Sequence, residues 1–365
     1  MSSGEHSSPS LTRSGTLRRF LLCAGAVASG LGACGGGSSG RGSSGSGGAA
    51  GAAGAGGTGG SAPTFSWSVA SPSPIARFEA NGVVVGGELW VMGGFTSSSL
   101  EVTRRVHIYD PAADSWRPGP DLPEAETHIA AVTVGSDVIV AGGFSGRFYG
   151  APSPTTASTW RWRAATADWA PGPTLPSAGA GFSWALLGTT LHLAGGLAAD
   201  GVTDADVHYV WDVAGAAGWT TAAALPNARN HGGGAASGGL FYALGGRHGW
   251  NEVSGAVADV HAFDPASGEW RVRAPLPSAR SEIGASTFAL GDGRIIVVGG
   301  SLPYVIPSDE VFAYDPVGDS WSTLPPLPEK RKGAVAQPVG RRIVVTTGSP
   351  TSVDPTSTTF VGCCL

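Results

Sequence analysis

Six short segments, about fifty residues apart, carry the side chains in this chain best suited to chemistry. They read Pro74-Ile75-Ala76-Arg77-Phe78-Glu79, Pro123-Glu124-Ala125-Glu126-Thr127-His128, Pro176-Ser177-Ala178-Gly179-Ala180-Gly181, Pro226-Asn227-Ala228-Arg229-Asn230-His231, Pro277-Ser278-Ala279-Arg280-Ser281-Glu282 and Pro328-Glu329-Lys330-Arg331-Lys332-Gly333. Arginine at the fourth position, as in Arg77, Arg229, Arg280 and Arg331, offers a planar fork of donors that matches a carboxylate. Glu126 takes that place in the second segment, and Glu79, His128, His231 and Glu282 occupy the sixth position. Residues two apart on an extended strand face the same way, so the fourth and sixth positions are expected to point together and ring a common mouth. The third segment departs with Gly179 and Gly181, which reads either as a gap in the ring or as room for a loop. Two uses of such a ring stay open: a ligand site for acidic groups, or ion pairs that staple neighbouring units together.

Other chemistry is weaker. His128, His231, His248 and Glu282 lack the close spacing of a metal site, so no metal is expected. Asp200, Asp204 and Asp206 do not complete a calcium loop. His107, His208 and His261 recur in third strands and read as structural. Tyr149, Trp250 and Tyr304 fall in long loops, where they suit either stacking on a ligand or loop packing. Matches to G-x-S-x-G and G-x-G-x-x-G at residues 36–40 and 54–59 sit in a glycine-rich tract without a flanking strand or helix, so neither is a catalytic or dinucleotide motif.

The segments are positioned by a repeat. Glycine pairs follow apolar runs at Gly93-Gly94, Gly142-Gly143, Gly195-Gly196, Gly245-Gly246 and Gly299-Gly300, with a degenerate Thr347-Gly348 after them. Trp67, Trp116, Trp169, Trp219, Trp270 and Trp321 keep the same beat. Tyr109-Asp110-Pro111, Phe263-Asp264-Pro265 and Tyr314-Asp315-Pro316 each precede their tryptophan by a constant distance. Within one period the apolar runs are short, rich in β-branched and aromatic residues, and separated by turn residues, so they are strands. This joint pattern, over about residues 64–365, resembles the kelch repeat. The resemblance implies an all-β, six-bladed propeller with four-stranded blades. Trp67 belongs to a fourth strand without its first three, and the C-terminal unit lacks a fourth, so the N-terminal strand is expected to close the last blade. Tight turns such as Gly86-Gly87 and Gly238-Gly239 lie on one face, and long loops such as 144–158 and 247–259 on the other. The long-loop face is the candidate surface. In kelch propellers that bind acidic peptides, arginines at the same repeat position line the pocket, which extends the resemblance to Arg77, Arg229, Arg280 and Arg331.

The first sixty residues read as an address and a tether. Arg13, Arg18 and Arg19 precede a short apolar run from Phe20 to Ala28, the pattern of a signal peptide over residues 1–33. Leu31-Gly32-Ala33-Cys34 resembles a bacterial lipobox, which implies lipidation of Cys34; ordinary cleavage leaving a spare cysteine is the alternative. Residues 34–62 follow as a linker of glycine, serine and alanine, and the propeller as residues 63–365. The localisation expected is the bacterial cell envelope, by a lipid anchor, or the secreted state.

Composition limits the function classes. With 59 glycines in 365 residues, the chain is rich in glycine but has no Gly-X-Y period, which excludes collagen. Its net charge of −5 argues against nucleic acid. The expected partners are an acidic peptide, a protein or a carbohydrate, bound by a monomer, with no cofactor. The leading reading is a binding module. An exported sugar-modifying enzyme resembling N-acetylneuraminate epimerase is the alternative, and a purely structural envelope protein is the third. Copper chemistry like that of galactose oxidase does not fit, because Cys23, Cys34, Cys363 and Cys364 offer no Tyr–Cys crosslink.

Overall fold

A computed structural model describes residues 65–146, 154–249 and 255–363. Cys34 and Cys364, the tract before residue 65, Tyr149 and Trp250 lie outside the described residues. Residues 65–363 build six four-stranded antiparallel sheets arranged as blades. Blade 1 runs Asn81–Val85, Glu88–Met92, Val106–Asp110 and Ser115–Pro118 from the axis outward. The same order repeats in blades 2 to 5, which begin at Ala130–Val134, Ser183–Leu187, Gly233–Ser237 and Thr287–Ala289. Blade 6 holds Val335–Val339, Arg342–Thr346 and Thr359–Cys363, and its outermost strand is Ser66–Ala70 from the other end of the chain. Trp67 lies opposite Gly362, so the ring closes with the N-terminal strand as its last piece. Among the described residues no helix is long and apolar enough to cross a membrane.

Two recurring residues explain how neighbouring blades hold together. Each outer-strand tryptophan sends its indole N–H back to a carbonyl of the preceding blade's exit. Trp116 bonds Ser71 at 2.8 Å, Trp270 bonds Ala223 at 2.8 Å, Trp321 bonds Ala274 at 3.0 Å, and Trp67 bonds Pro325 at 2.9 Å. The second glycine of each pair donates its backbone N–H to the fourth-position carbonyl of the next blade's entering segment. Gly94 reaches Glu126 at 3.0 Å, Gly246 reaches Arg280 at 2.7 Å, and Gly348 reaches Arg77 at 2.7 Å to link blade 6 to blade 1. Glycine is favoured in the first place because a Cβ on Gly93, at φ 65°, would stand 2.3 Å from the Glu126 carbonyl oxygen, although blade 6 holds Thr347 there at φ 62°.

Apolar side chains fill the gaps between blades. Five of the six interfaces bury clusters of eight to eleven hydrophobic residues, as with Val83, Trp90 and Ile108 of blade 1 against Val138 and Val140 of blade 2. The interface of blades 3 and 4 holds a smaller apolar cluster, Ala185, Ala194, Phe241 and Phe263, with the buried His192 and His208 packed on the two phenylalanines.

Candidate functional site

The six entering segments converge on the axis, but their fourth and sixth residues do not point together. Every sixth position is left-handed: Glu79 (φ 52°), His128 (57°), Gly181 (64°), His231 (56°), Glu282 (57°) and Gly333 (54°). That conformation breaks the strand alternation between the two positions. It lets the sixth-position backbones bond head to tail around the axis: Glu79 N–H to the Gly333 carbonyl, His128 to Glu79, Gly181 to His128, His231 to Gly181 and Gly333 to Glu282. Left-handed backbone in four non-glycine residues is unfavourable, and the circular ladder offsets it.

The arginines therefore lie elsewhere than the expected mouth. Arg77, Arg229, Arg280 and Arg331 are buried inside the blades. Arg229 donates from Nε to the Gly245 carbonyl at 2.7 Å, from Nη1 to Asn227 at 2.8 Å and from Nη2 to Ala243 at 3.1 Å. Arg77 Nη1 bonds the carbonyls of Gly93 and Arg105, and its Nη2 meets His107 Nδ1 at 2.6 Å. Arg280 pairs with Glu310 of its own blade, and Arg331 with Glu329 at 2.8 Å. Arg77 and Arg229 bond carbonyls near the end of the second strand or the start of the third, Arg280 bonds the Gly299 carbonyl, and Arg331 the Lys330 carbonyl, all inside the fold. Burial lowers Arg77 and Arg229 to about 10, still charged at neutral pH. His107, lowered to about 4 by burial and then by Arg77, accepts from the guanidinium as a neutral ring.

Glu126 stands in the arginine place of blade 2 and is also buried, at 1% exposure. Its Oε1 has no hydrogen-bond partner, and burial, followed by repulsion from Glu124, pushes its carboxyl up to about 8. It is not a member of the axial group.

Glu79, His128, His231 and Glu282 do come together at the axis. His128 Nε2 lies 2.6 Å from Glu79 Oε2, and its ring packs edge-on against Phe95, Phe144 and His231. Glu79 and Glu282 share a hydrogen bond. His231 is held through Nδ1 by Asn230 Oδ1. Arg247 reaches His231 Nε2 at 3.2 Å and pairs with Glu282 Oε1. Burial would raise Glu282, but His231, Arg247, Glu79 and the buried Lys332 together hold its carboxyl well below the usual range. Burial, then Arg247, keeps His231 neutral. The glycines of the ring make room for these groups: a Cβ on Gly181 would meet the His231 ring at 3.1 Å, and one on Gly333 would meet Glu79 at 2.8 Å. Blade 3 thus has no gap, since a neighbouring side chain leans over its glycine.

The liganding atoms of His128, His231 and Glu282 fall within 4.8 Å of one another, a convergence that their sequence spacing did not announce. Arg247 donates to both His231 and Glu282, and Lys332 is buried beside them. His231 Nε2 and Glu282 Oε1 are thus engaged by Arg247 and His128 Nε2 by Glu79, and the group reads as a charge-balanced lock. Beneath it lies a cavity of about 40 Å³, also lined by Asn81 and Trp184, which has room for only a few waters. Trp184 lies across the axis, its indole bonded to the Ala131 carbonyl at 3.0 Å, and a Cβ on Gly284 would stand 2.7 Å from its ring. A second cavity of about 380 Å³ begins on its other side, lined by the innermost strands. Trp184 divides the channel.

Arg247, Lys332, Phe95 and Phe144 escaped the sequence reading. The signal was present for three of them: Phe95, Phe144 and Arg247 each directly follow a glycine pair. The residues in that place, with Leu197, Ser301 and Ser349, give the axis an apolar half over blades 1 to 3 and a polar half over blades 4 to 6. Among the remaining candidates, Asp204 accepts from Asn230 and Gly249 and lies 3.4 Å from His248, and Asp200 caps its own turn at Val202 and Thr203. His261 meets Arg229 at 3.3 Å, which gives it a structural role like that of His107. Tyr304, on a hairpin of the long-loop face, is 71% exposed.

Comparison with known proteins follows the same geometry. A family model described as Kelch motif matches residues 76–123, 228–277 and 285–328, which are blades 1, 4 and 5. These are the blades with both the arginine or its adjoining segment and the aromatic-Asp-Pro turn. Kelch-like protein 34 of Homo sapiens is 30% identical over 240 residues, covering 63% of this chain and 36% of that protein. Kelch-like protein terF of Aspergillus terreus is 24% identical over 303 residues, covering 78% of this chain and 52% of the relative. Beta-scruin of Limulus polyphemus is 27% identical over 151 residues, covering 39% of this chain and 16% of the relative. The chain thus spans between about a third and a half of the length of the first two. Blades 1, 4 and 5 match the Kelch motif and six four-stranded blades close into a ring, so the protein is a six-bladed β-propeller with Kelch motifs in three of its blades.

Proposed function

We propose that this propeller is a protein-interaction module that meets its partner with the long-loop face rather than through the central channel. Kelch-repeat propellers are commonly interaction modules. The observation that carries the choice of surface is the closure of the axis: Glu79, His128, His231 and Glu282 bond one another, and Arg247 and Lys332 are buried with them. Recognition then falls to the loops around them. On that face the hairpin formed by Ser301–Leu302 and Ile306–Pro307 presents Tyr304 at 71% and Ile306 at 46% exposure. Tyr304 and Val305 are both left-handed, at φ 66° and 63°, a conformation that a β-branched residue rarely adopts and that concentrates at functional sites. The arginines named for an acidic peptide or glycan are buried within the blades and lend that ligand class no support. The test is quantitative capture of cellular proteins on wild type and on Tyr304→Ser/Ile306→Ser, both checked for folding. Identical retained sets would overturn the assignment of the loop face.

We further propose that Cys34 carries a lipid and that residues 35–62 tether the propeller to a membrane. The support is the Leu31-Gly32-Ala33-Cys34 sequence with the glycine-rich tract after it. Cys34→Ala is expected to move the protein out of the membrane fraction, and unchanged fractionation would remove the anchor.

A further inference from the structure

One residue at the axis breaks the repeat. Gly82, Ala131, Trp184, Gly234, Thr287 and Ala336 hold the same register position in the six innermost strands, each paired with Val91, Val140, Leu193, Ala243, Val297 or Val345 of its blade. Five of the six are small, as the crowding requires. A Cβ on Gly82 would collide with the Val335 side chain, and one on Gly234 with the Trp184 backbone. Blade 3 alone puts a large flat side chain there. The Trp184 indole reaches the Ala131 carbonyl of blade 2, and its far edge lies against Gly284 at the entry to blade 5. It is a plate across the channel, partly exposed, with the axial lock on one side of it.

On the other side the plate is the floor of the cavity of about 380 Å³, which opens toward the tight-turn face. That volume lies at the lower end of the range of small-molecule pockets, on the order of 300–1,000 Å³. No charged side chain lines it. Its polarity is that of strand edges. An innermost strand is paired on one side only, so alternate residues turn their N–H and C=O groups to the axis. Val84 and Ala131 show the phase, since their carbonyls accept from the Thr133 hydroxyl at 3.1 Å and the Trp184 indole at 3.0 Å. Thr287 spends its hydroxyl on the Ile283 carbonyl at 2.8 Å. Gln337 is partly exposed in the wall of blade 6, and none of the described residues engages its amide. That amide both donates and accepts.

We propose that this cavity binds one ring of a neutral sugar, with an apolar face on the Trp184 indole and its hydroxyls turned to the strand edges and Gln337. Neutrality follows from the lining, where an ion would lose hydration without compensation. The ring follows from the floor, a flat apolar surface lying across the axis. The hydroxyls follow from the wall, which offers donors and acceptors all around the ligand's circumference. A pyranose sends hydroxyls outward around its edge, and each both donates and accepts. The site is independent of the long-loop face and opens at the opposite end of the blades.

The experiment uses the full-length protein labelled with ¹⁵N-tryptophan, titrated with the methyl glycosides of glucose, galactose and mannose. Methyl glucuronide, a similar ring carrying a carboxylate, is the charged counterpart. The Trp184 indole resonance is assigned by its loss in Trp184→Phe. We expect at least one neutral glycoside to shift that resonance saturably, and the glucuronide to bind at least about ten-fold more weakly. Trp184→Leu removes the floor and should abolish binding. Because Trp184→Leu also opens the channel beneath the lock and can fail to fold, Gln337→Ala supplies the second arm. It leaves the floor intact and should weaken binding about five- to ten-fold, as one hydrogen bond dictates. No saturable shift of Trp184 with any of the three glycosides, a glucuronide bound as tightly as the best of them, or undiminished binding in either folded variant would overturn the proposal.

Discussion

Replacing Glu126 with Gln changes one oxygen for an amide nitrogen in a buried place and isolates a single titration. In the folded protein, burial and Glu124 push the carboxyl up to about 8, whereas its ordinary value is 4.5. A raised value means that the folded state holds the proton more tightly. The associated stability is complete below about 4.5, declines as pH rises, and is lost above about 8. Where the unfolded carboxyl is ionised and the folded one is not, each pH unit is worth about 1.4 kcal/mol. Between pH 6 and pH 9 the wild type should therefore lose on the order of 2–3 kcal/mol relative to Glu126→Gln, which does not titrate. The assay is urea unfolding of both proteins at pH 6, 7.5 and 9. The quantity read is the difference between the two, in which the histidines and other carboxylates cancel. The variant's advantage should widen steadily across the series. A difference independent of pH would refute the reasoning and mean that Glu126 is ionised in the fold, held by a donor that the geometry does not reveal.

Two further outcomes follow from the ring. Removal of residues 62–72 takes away the outer strand of blade 6, the Trp67 bond to Pro325 and the cover on Thr359–Cys363; thermal unfolding of the whole propeller should fall by many degrees, and an unaltered midpoint would contradict closure by that strand. Arg229→Lys keeps a charge but loses the fork, leaving acceptors among Gly245, Asn227 and Ala243 without donors; at about 1–3 kcal/mol for each buried unmet group, a loss of roughly 3 kcal/mol or more is expected in urea unfolding, and a loss below about 1 kcal/mol would show that the guanidinium is not what holds the blade.

The number of blades, their four strands and the closure by Trp67 were legible in the sequence, because glycine pairs and tryptophans repeat with the blade. Their reasons are local and recur from unit to unit: a carbonyl that leaves no room for a Cβ beside Gly93, and an indole that reaches back to the preceding blade. The direction of a side chain at the axis was not legible. Alternation predicts that Arg229 and His231 point together, but the left-handed backbone at His231, bonded to the neighbouring segment through Gly181, sends the guanidinium into the blade and the imidazole to the axis. The axial ladder exists only once the ring is closed. For the same reason Arg247 and Lys332 could not be assigned to Glu282 from spacing, since different blades bring them to one point. The His192–His208 pair likewise was not legible from spacing, since it is packed by Phe241, Phe263 and Trp270 of the next blade. Repeating contacts leave a periodic trace in a sequence; contacts that occur once, between blades, are decided by the closed ring.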